Sequence, residues 1–164
     1  MNQGSHTVDL LLWLMGKAVR VRAHTTTLLH AIETEDTAMA SIEFASGASG
    51  TLLATTAAFP GYPRRVELTG TEGTVILEHD RILKADLRTP CPDLATSGEG
   101  DRNQSASSPV VSDFSGHQRI LEDFIEAIRT GSQPRCDGIQ GRDSVALIQA
   151  IYQSSRTGCA VVLH

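Results

Sequence analysis

Thr37 to Phe44 alternates without a break. Ala38, Ala40, Ile42 and Phe44 fall on one side, and Thr37, Met39, Ser41 and Glu43 on the other. A side-chain period of two belongs to a strand, and the contrast between the two sets gives that strand one apolar and one mixed face. Ser46-Gly47 supplies a short turn, after which residues 50–58, rich in Thr and Ala, return as a second extended run. Segments 36–45 and 49–58 therefore predict an antiparallel hairpin. A one-residue slip of such a pair would turn its apolar side outward, so the rest of the chain has to supply a cover for that side.

The flanking sequence supplies candidates for the cover. Before the hairpin, Val8, Leu11, Leu12 and Met15 recur at helical spacing, with Ser5 placed as N-cap and Gly16 as the stop. Residues 18–30 alternate loosely and read as a further strand. Pro60-Gly61-Tyr62-Pro63 breaks the sheet. Short strands follow at 65–69, 74–78 and 82–87, the first two joined by the Gly70 to Gly73 turn. Five or six strands joined by tight turns predict a largely antiparallel sheet. Two helices close the chain. In 117–130, Ile120, Leu121, Phe124, Ile125 and Ile128 share a face ahead of Gly131. Asp137 and Gln140 form a capping-box pair that opens the second helix, with Val145, Ile148, Ile151 and Tyr152 as its stripe and Gly158 as its end. Residues 161–163 read as an extended tail at a sheet edge. The expected fold is α+β, a mostly antiparallel open β-sheet packed on one face by helices. The other face, assigned Met39, Ile42, Leu52, Ala54 and Val66, is expected to meet a partner chain or another domain. Residues 88–116 have no period and are expected to form a flexible loop, either a lid or a surface excursion.

Bulk composition removes several functions. With 164 residues, 20% charged and a net charge of -5, the chain is long enough for one domain spanning 1–164, but it lacks the positive charge that nucleic acid or an anionic membrane attracts. The apolar run VDLLLWLM contains an Asp, is too short for a membrane span and has no basic lead-in. Cys91, Cys136 and Cys159 are odd in number and widely spaced, which points to buried or incidental thiols in a reducing, cytoplasmic setting. A polar cluster in the first six residues, with no scaffold ahead of it, points to further chain upstream.

Residues able to carry chemistry are few. His6 and Asp9 lie three apart at the start of the first helix, with Asn2 four before His6. An imidazole exchanges protons near neutral pH and a nearby carboxylate fixes its tautomer, as in a general acid/base pair. The same spacing also suits a helix-end charge and a packing histidine. Arg64-Arg65 behind Tyr62 offers cations for a phosphate or carboxylate, although a solvated strand start has the same composition. His117, at a helix mouth after the long connection, is a second cleft candidate. The six histidines show no metal-ligand spacing. No G-x-S-x-G elbow is present, and Gly70 to Gly73 lies between strands, the wrong context for a phosphate-cradling loop.

Asn2-Gln3-Gly4-Ser5-His6-Thr7-Val8-Asp9, followed by Leu-Leu-Trp-Leu-Met-Gly, resembles the D/N-x-G-x-H-x-x-D segment that opens the C-terminal domain of the Gfo/Idh/MocA oxidoreductases. The likeness continues in order over nearly the whole chain. Asp36-Thr37-Ala-Met-Ala and Gly47-Ala48-Ser49-Gly50 resemble the family's central hairpin, and 68–73 its G-T-x-G turn. Asp123-Phe124-Ile125 with Ala127-Ile128, then 134–141, and Ala150-Ile151-Tyr152 with Ser155 resemble its closing helices.

The resemblance implies a domain of the glyceraldehyde-3-phosphate dehydrogenase-like C-terminal type. Its open sheet would build the oligomer interface and line the substrate side of a cleft. It implies a dehydrogenase acting on a sugar, sugar nucleotide or cyclitol, with NAD or NADP held by an N-terminal Rossmann domain. The glycine fingerprint and the catalytic Lys of that domain are absent from this sequence. His6 matches the family's catalytic or substrate-positioning histidine. Asn2 stands where many members have Asp, and Asp9 matches the acid that follows. Arg64, Arg65 and His117 lie near segments that contact substrate in some relatives. The expectation is a substrate-binding, homo-oligomerising half, inactive alone and binding no cofactor by itself. The competing expectation is a non-enzymatic assembly or small-ligand module.

Overall fold

The computed structural model describes residues 4–78, 81–92, 94 and 114–164. In chain order the elements are α1 (Ser5–Met15), β1 (Ala18–Thr26), β2 (Thr37–Phe44), β3 (Ser49–Thr55), β4 (Arg65–Gly70), β5 (Gly73–Glu78), β6 (Arg81–Leu87), α2 (Ser115–Thr130), α3 (Gly138–Thr157) and β7 (Val161–Val162). They form two compact units, Met1–Ala58 with Asp113–His164, and Phe59–Ser112. The strands divide between two antiparallel sheets, β3-β2-β1-β7 in the first unit and β4-β5-β6 in the second. This is the α+β class expected, with the strands shared between two sheets. The Pro60 to Pro63 break falls between β3 and β4.

The first unit is built on the β2–β3 hairpin. Ala40 pairs with Leu52 and Met39 with Leu53, and Gly47 turns the chain at a φ of 86° that a side chain would resist. Ala38, Ala40, Ile42, Phe44 and Leu52 are buried, and the last four join Val8, Val21, Leu147 and Ile151 in the core beneath α1 and α3. Each aliphatic side chain buried there contributes about 1.5–3 kcal/mol. Asp137 accepts from the amides of Ile139 and Gln140, while the Gln140 side chain accepts from the Asp137 amide, so the capping box opens α3 as expected.

One side of β1 pairs with β2 over its full length, whereas on its other side β7 pairs only with Arg20 and Val21. Beyond that point two serines replace a strand. The Ala23 amide donates to Ser154 Oγ at 2.9 Å, and the Thr25 amide to Ser155 Oγ at 2.8 Å. Ser154 is fully buried and donates onward to the Cys159 carbonyl at 2.6 Å.

Several expectations need correction. Gly4, not Ser5, is the N-cap of α1, with no side-chain cap bond, so the serine lies inside the first turn. The buried stripe of α3 is Leu147, Ala150, Ile151 and Ser154, while Val145 is 53% exposed. A small residue and a hydroxyl suit the close approach to β1 better than the branched side chain does. Ile42, Leu52 and Ala54 lie on the covered side, because an odd offset from Met39 and Leu53 puts them across the pleat. Val66 belongs to the second unit. The uncovered face instead carries Met39, Leu53, Arg20, Arg22, His24 and Glu43. In α2 only Ala127 is buried, and Ile120, Leu121, Phe124, Ile125 and Ile128 are all more than half exposed. Amphipathic period identifies a face without identifying what lies against it. The three cysteines are exposed and free, so none is a core thiol.

In the second unit, Val66 is the buried residue of β4, and β5 is half-buried throughout. Gly73 is required where β5 meets β6, since a Cβ there would overlap the Asp86 carbonyl. Most of the 88–116 connection, and its expected mobility, lies outside the described residues.

Candidate functional site

Helix α1 is anchored by Val8, which is fully buried beside Leu147 and Ile151, and this anchoring leaves His6 on the exposed side of the first turn. His6 has no hydrogen-bond or ion-pair partner among the described residues. Asp9 does not serve as its partner. The Asp9 Oδ1 accepts from Ser144 Oγ at 2.8 Å, which ties α1 to α3. The acid that follows His6 in sequence is thus a helix–helix clamp, and the imidazole is exposed and unpaired among the described residues. Asn2 lies outside the described residues. His117 is exposed in the first turn of α2, and no hydrogen bond joins it to His6 among the described residues. Arg64 and Arg65 lie in the second unit. Arg64 is half-buried, and Arg65 Nη2 is 3.4 Å from Glu67 Oε2 in an exposed pair.

Two groups that sequence reasoning passed over fix the end of the β1–β2 loop. Asp36 is buried, and its carboxylate accepts from the amides of Leu28 (2.9 Å), Leu29 (2.7 Å) and His30 (3.0 Å) and from the Thr37 hydroxyl (3.0 Å). The His30 and Leu29 amides above all hold it far below the usual carboxylate range. Tyr152 on α3 donates to Glu35 Oε1 at 2.8 Å, and burial, followed by that carboxylate, pushes the phenol up to about 12. The available signal was an Asp directly before a Thr-led strand, where a short carboxylate caps loop amides.

The described residues do not fit a dinucleotide cofactor. No glycine turn joins a strand to a helix N-terminus, and the N-terminus of α3 is filled by its own Asp137 carboxylate, which would repel a phosphate. They also hold no group of three His, Cys, Asp or Glu arranged for a metal, and none of their helices is long and apolar enough to cross a membrane.

Comparison with known proteins agrees with this architecture. Residues 1–76 match the GFO/IDH/MocA C-terminal domain. D-apiose dehydrogenase of Paraburkholderia graminis is 28% identical over 98% of this chain and 43% of its own length. The WlbA dehydrogenase of Bordetella pertussis, solved in complex with NADH and UDP-GlcNAcA, superposes with a TM-score of 0.79 at 31% identity, covering 100% of this chain and 44% of that one. The chain therefore spans less than half the length of these relatives. The motif order, the helix-covered antiparallel sheet and the comparisons agree: residues 1–76 match the Gfo/Idh/MocA C-terminal domain, and the whole chain shares the fold of the corresponding part of the WlbA dehydrogenase.

Proposed function

We propose that this chain is the substrate-binding and oligomerising part of an NAD(P)-dependent dehydrogenase that oxidises a hydroxyl of a sugar, sugar nucleotide or cyclitol. The observation that carries the reading is His6, an exposed imidazole without a partner among the described residues, set at the start of α1 by the buried Val8. Oxidation of a secondary alcohol removes a hydride from carbon and a proton from oxygen. The nicotinamide supplies the hydride acceptor, and it has to be held by a nucleotide-binding domain beyond these residues. His6 takes the hydroxyl proton, and the exposed first turn of α1 admits the substrate to it. Asp9 acts through position only, by holding α1 on α3.

Among the substrate classes, a sugar nucleotide is favoured by the likeness to the WlbA dehydrogenase, whose structure holds UDP-GlcNAcA. The open face with Met39 and Leu53 supports a homo-oligomer, and this same patch favours the alternative reading of a pure assembly module. Three exposed free thiols and the negative charge support a cytoplasmic protein without nucleic-acid partners.

The test is a turnover assay with sugars and UDP-sugars. The chain alone should reduce no NAD(P). Fused behind the nucleotide-binding domain of a relative it should turn over, and His6→Ala should lower kcat by about 100- to 10,000-fold. Turnover by the chain alone, or a fully active His6→Ala fusion, overturns the proposal.

A further inference from the structure

We infer that the loop of residues 59–65 in the second unit is a nucleotide-recognition loop. Phe59 and Tyr62 provide the faces on which a pyrimidine base stacks, and Arg65 provides the cation for its diphosphate. The inference rests on the sugar-nucleotide reading above and concerns the nucleotide end alone.

The run is Phe-Pro-Gly-Tyr-Pro-Arg-Arg. Phe59 is 100% exposed and Tyr62 80%, the two most exposed large hydrophobic residues among those described. Leaving two aromatic rings in water within four positions forfeits burial that folding normally collects. Pro60 and Pro63 restrict the backbone that carries them, so little chain freedom remains to be lost when a flat ligand docks. An exposed ring face stacks on a base whatever the base's hydrogen-bonding edge. Three residues beyond Tyr62, the guanidinium of Arg65 offers the planar fork that suits phosphate oxygens. Its present partner is Glu67 at 3.4 Å, in a pair whose side chains are both about half exposed, and such a pair is readily exchanged for a phosphate. Glu78 lies across the β4–β5 ladder from Arg65 and opposes an anion, so the cation has to reach toward the loop side. Arg64, half-buried, directly precedes β4.

The experiment follows backbone amides of the chain by heteronuclear NMR during titration with UDP, UMP and inorganic pyrophosphate. UDP should shift the amides of Gly61, Tyr62, Arg64 and Arg65. The double variant Phe59→Ala/Tyr62→Ala should weaken UDP about tenfold and leave pyrophosphate unchanged. Arg65→Gln should weaken UDP and pyrophosphate about tenfold and UMP less. All three sites are solvent-facing, so thermal unfolding of the variants should match the parent and rule out a folding defect. The proposal is overturned if UDP leaves these amides in place, or if the aromatic variant keeps its UDP affinity. It is also overturned if that variant changes only the sedimentation of the chain, which would make the loop a protein contact. Failure of the dehydrogenase reading shows separately, in the His6→Ala fusion assay, and leaves UDP titration of the loop untouched.

Discussion

Asp36 gathers three successive amides and a hydroxyl onto one carboxylate, closing the β1–β2 loop with an anion rather than with further chain. Asp36→Asn removes the charge and replaces one acceptor with a donor that faces those amides, so Tm at neutral pH should fall by several degrees. A carboxyl held lower in the folded state than in the unfolded one stabilises fully above the unfolded value, near 4, and progressively less as pH drops toward the folded value. The Tm gap between parent and variant, followed by circular dichroism, should therefore be constant above about pH 5 and close as acid is added below about pH 4. A gap that widens in acid contradicts this account. Ser154 is fully buried between a donor and an acceptor. Ser154→Ala leaves the Ala23 amide and the Cys159 carbonyl unpaired, and urea unfolding should show a loss of about 1–3 kcal/mol. The role of Asp36 has a local signal, its place directly before a Thr-led strand, whereas Ser154 looks like any helix residue until the Ala23 amide, 131 positions away, is brought alongside.

Elements were legible where local chemistry decides them. The alternation in β2, the turn at Gly47, the Asp137–Gln140 box and the β7 tail all fall where periodicity and capping place them. The site was half legible. The motif around His6 pointed to the exposed turn, but pairing His6 with Asp9 by spacing failed because Ser144 takes the carboxylate. Helix α2 marks the same limit. Its stripe is plain in sequence, yet Ile120, Leu121, Phe124, Ile125 and Ile128 stand in solvent. Since these side chains contribute little burial, Leu121→Gln/Ile125→Gln should change unfolding free energy by no more than about 0.5 kcal/mol. The same variant should bind markedly less of a hydrophobic dye such as ANS. A large stability loss would mean that the stripe is covered in solution.

At the scale of the whole molecule, the uncovered sheet face decides behaviour. Met39 and Leu53 are cross-strand neighbours, with His24 beside Met39 and an Arg20–Glu43 pair at 3.3 Å on the same face. An apolar centre with a charged surround is the composition of an interface. The chain should sediment as a dimer or larger species, and Met39→Lys/Leu53→Lys should return it to monomer without lowering Tm. A parent chain that stays monomeric at high concentration contradicts this. The serine bonds from α3 to β1 limit the ways in which copies can join. With Ser154 and Ser155 occupying the amides that β7 leaves over, the four-stranded sheet keeps, among the described residues, one full-length strand border, that of β3. Two copies that meet through this border use up both, and no third copy can extend the four-stranded sheet. An endless cross-β ribbon built on this sheet requires the last turn of α3 to fray first, so that a helix terminus locks this sheet against fibre growth.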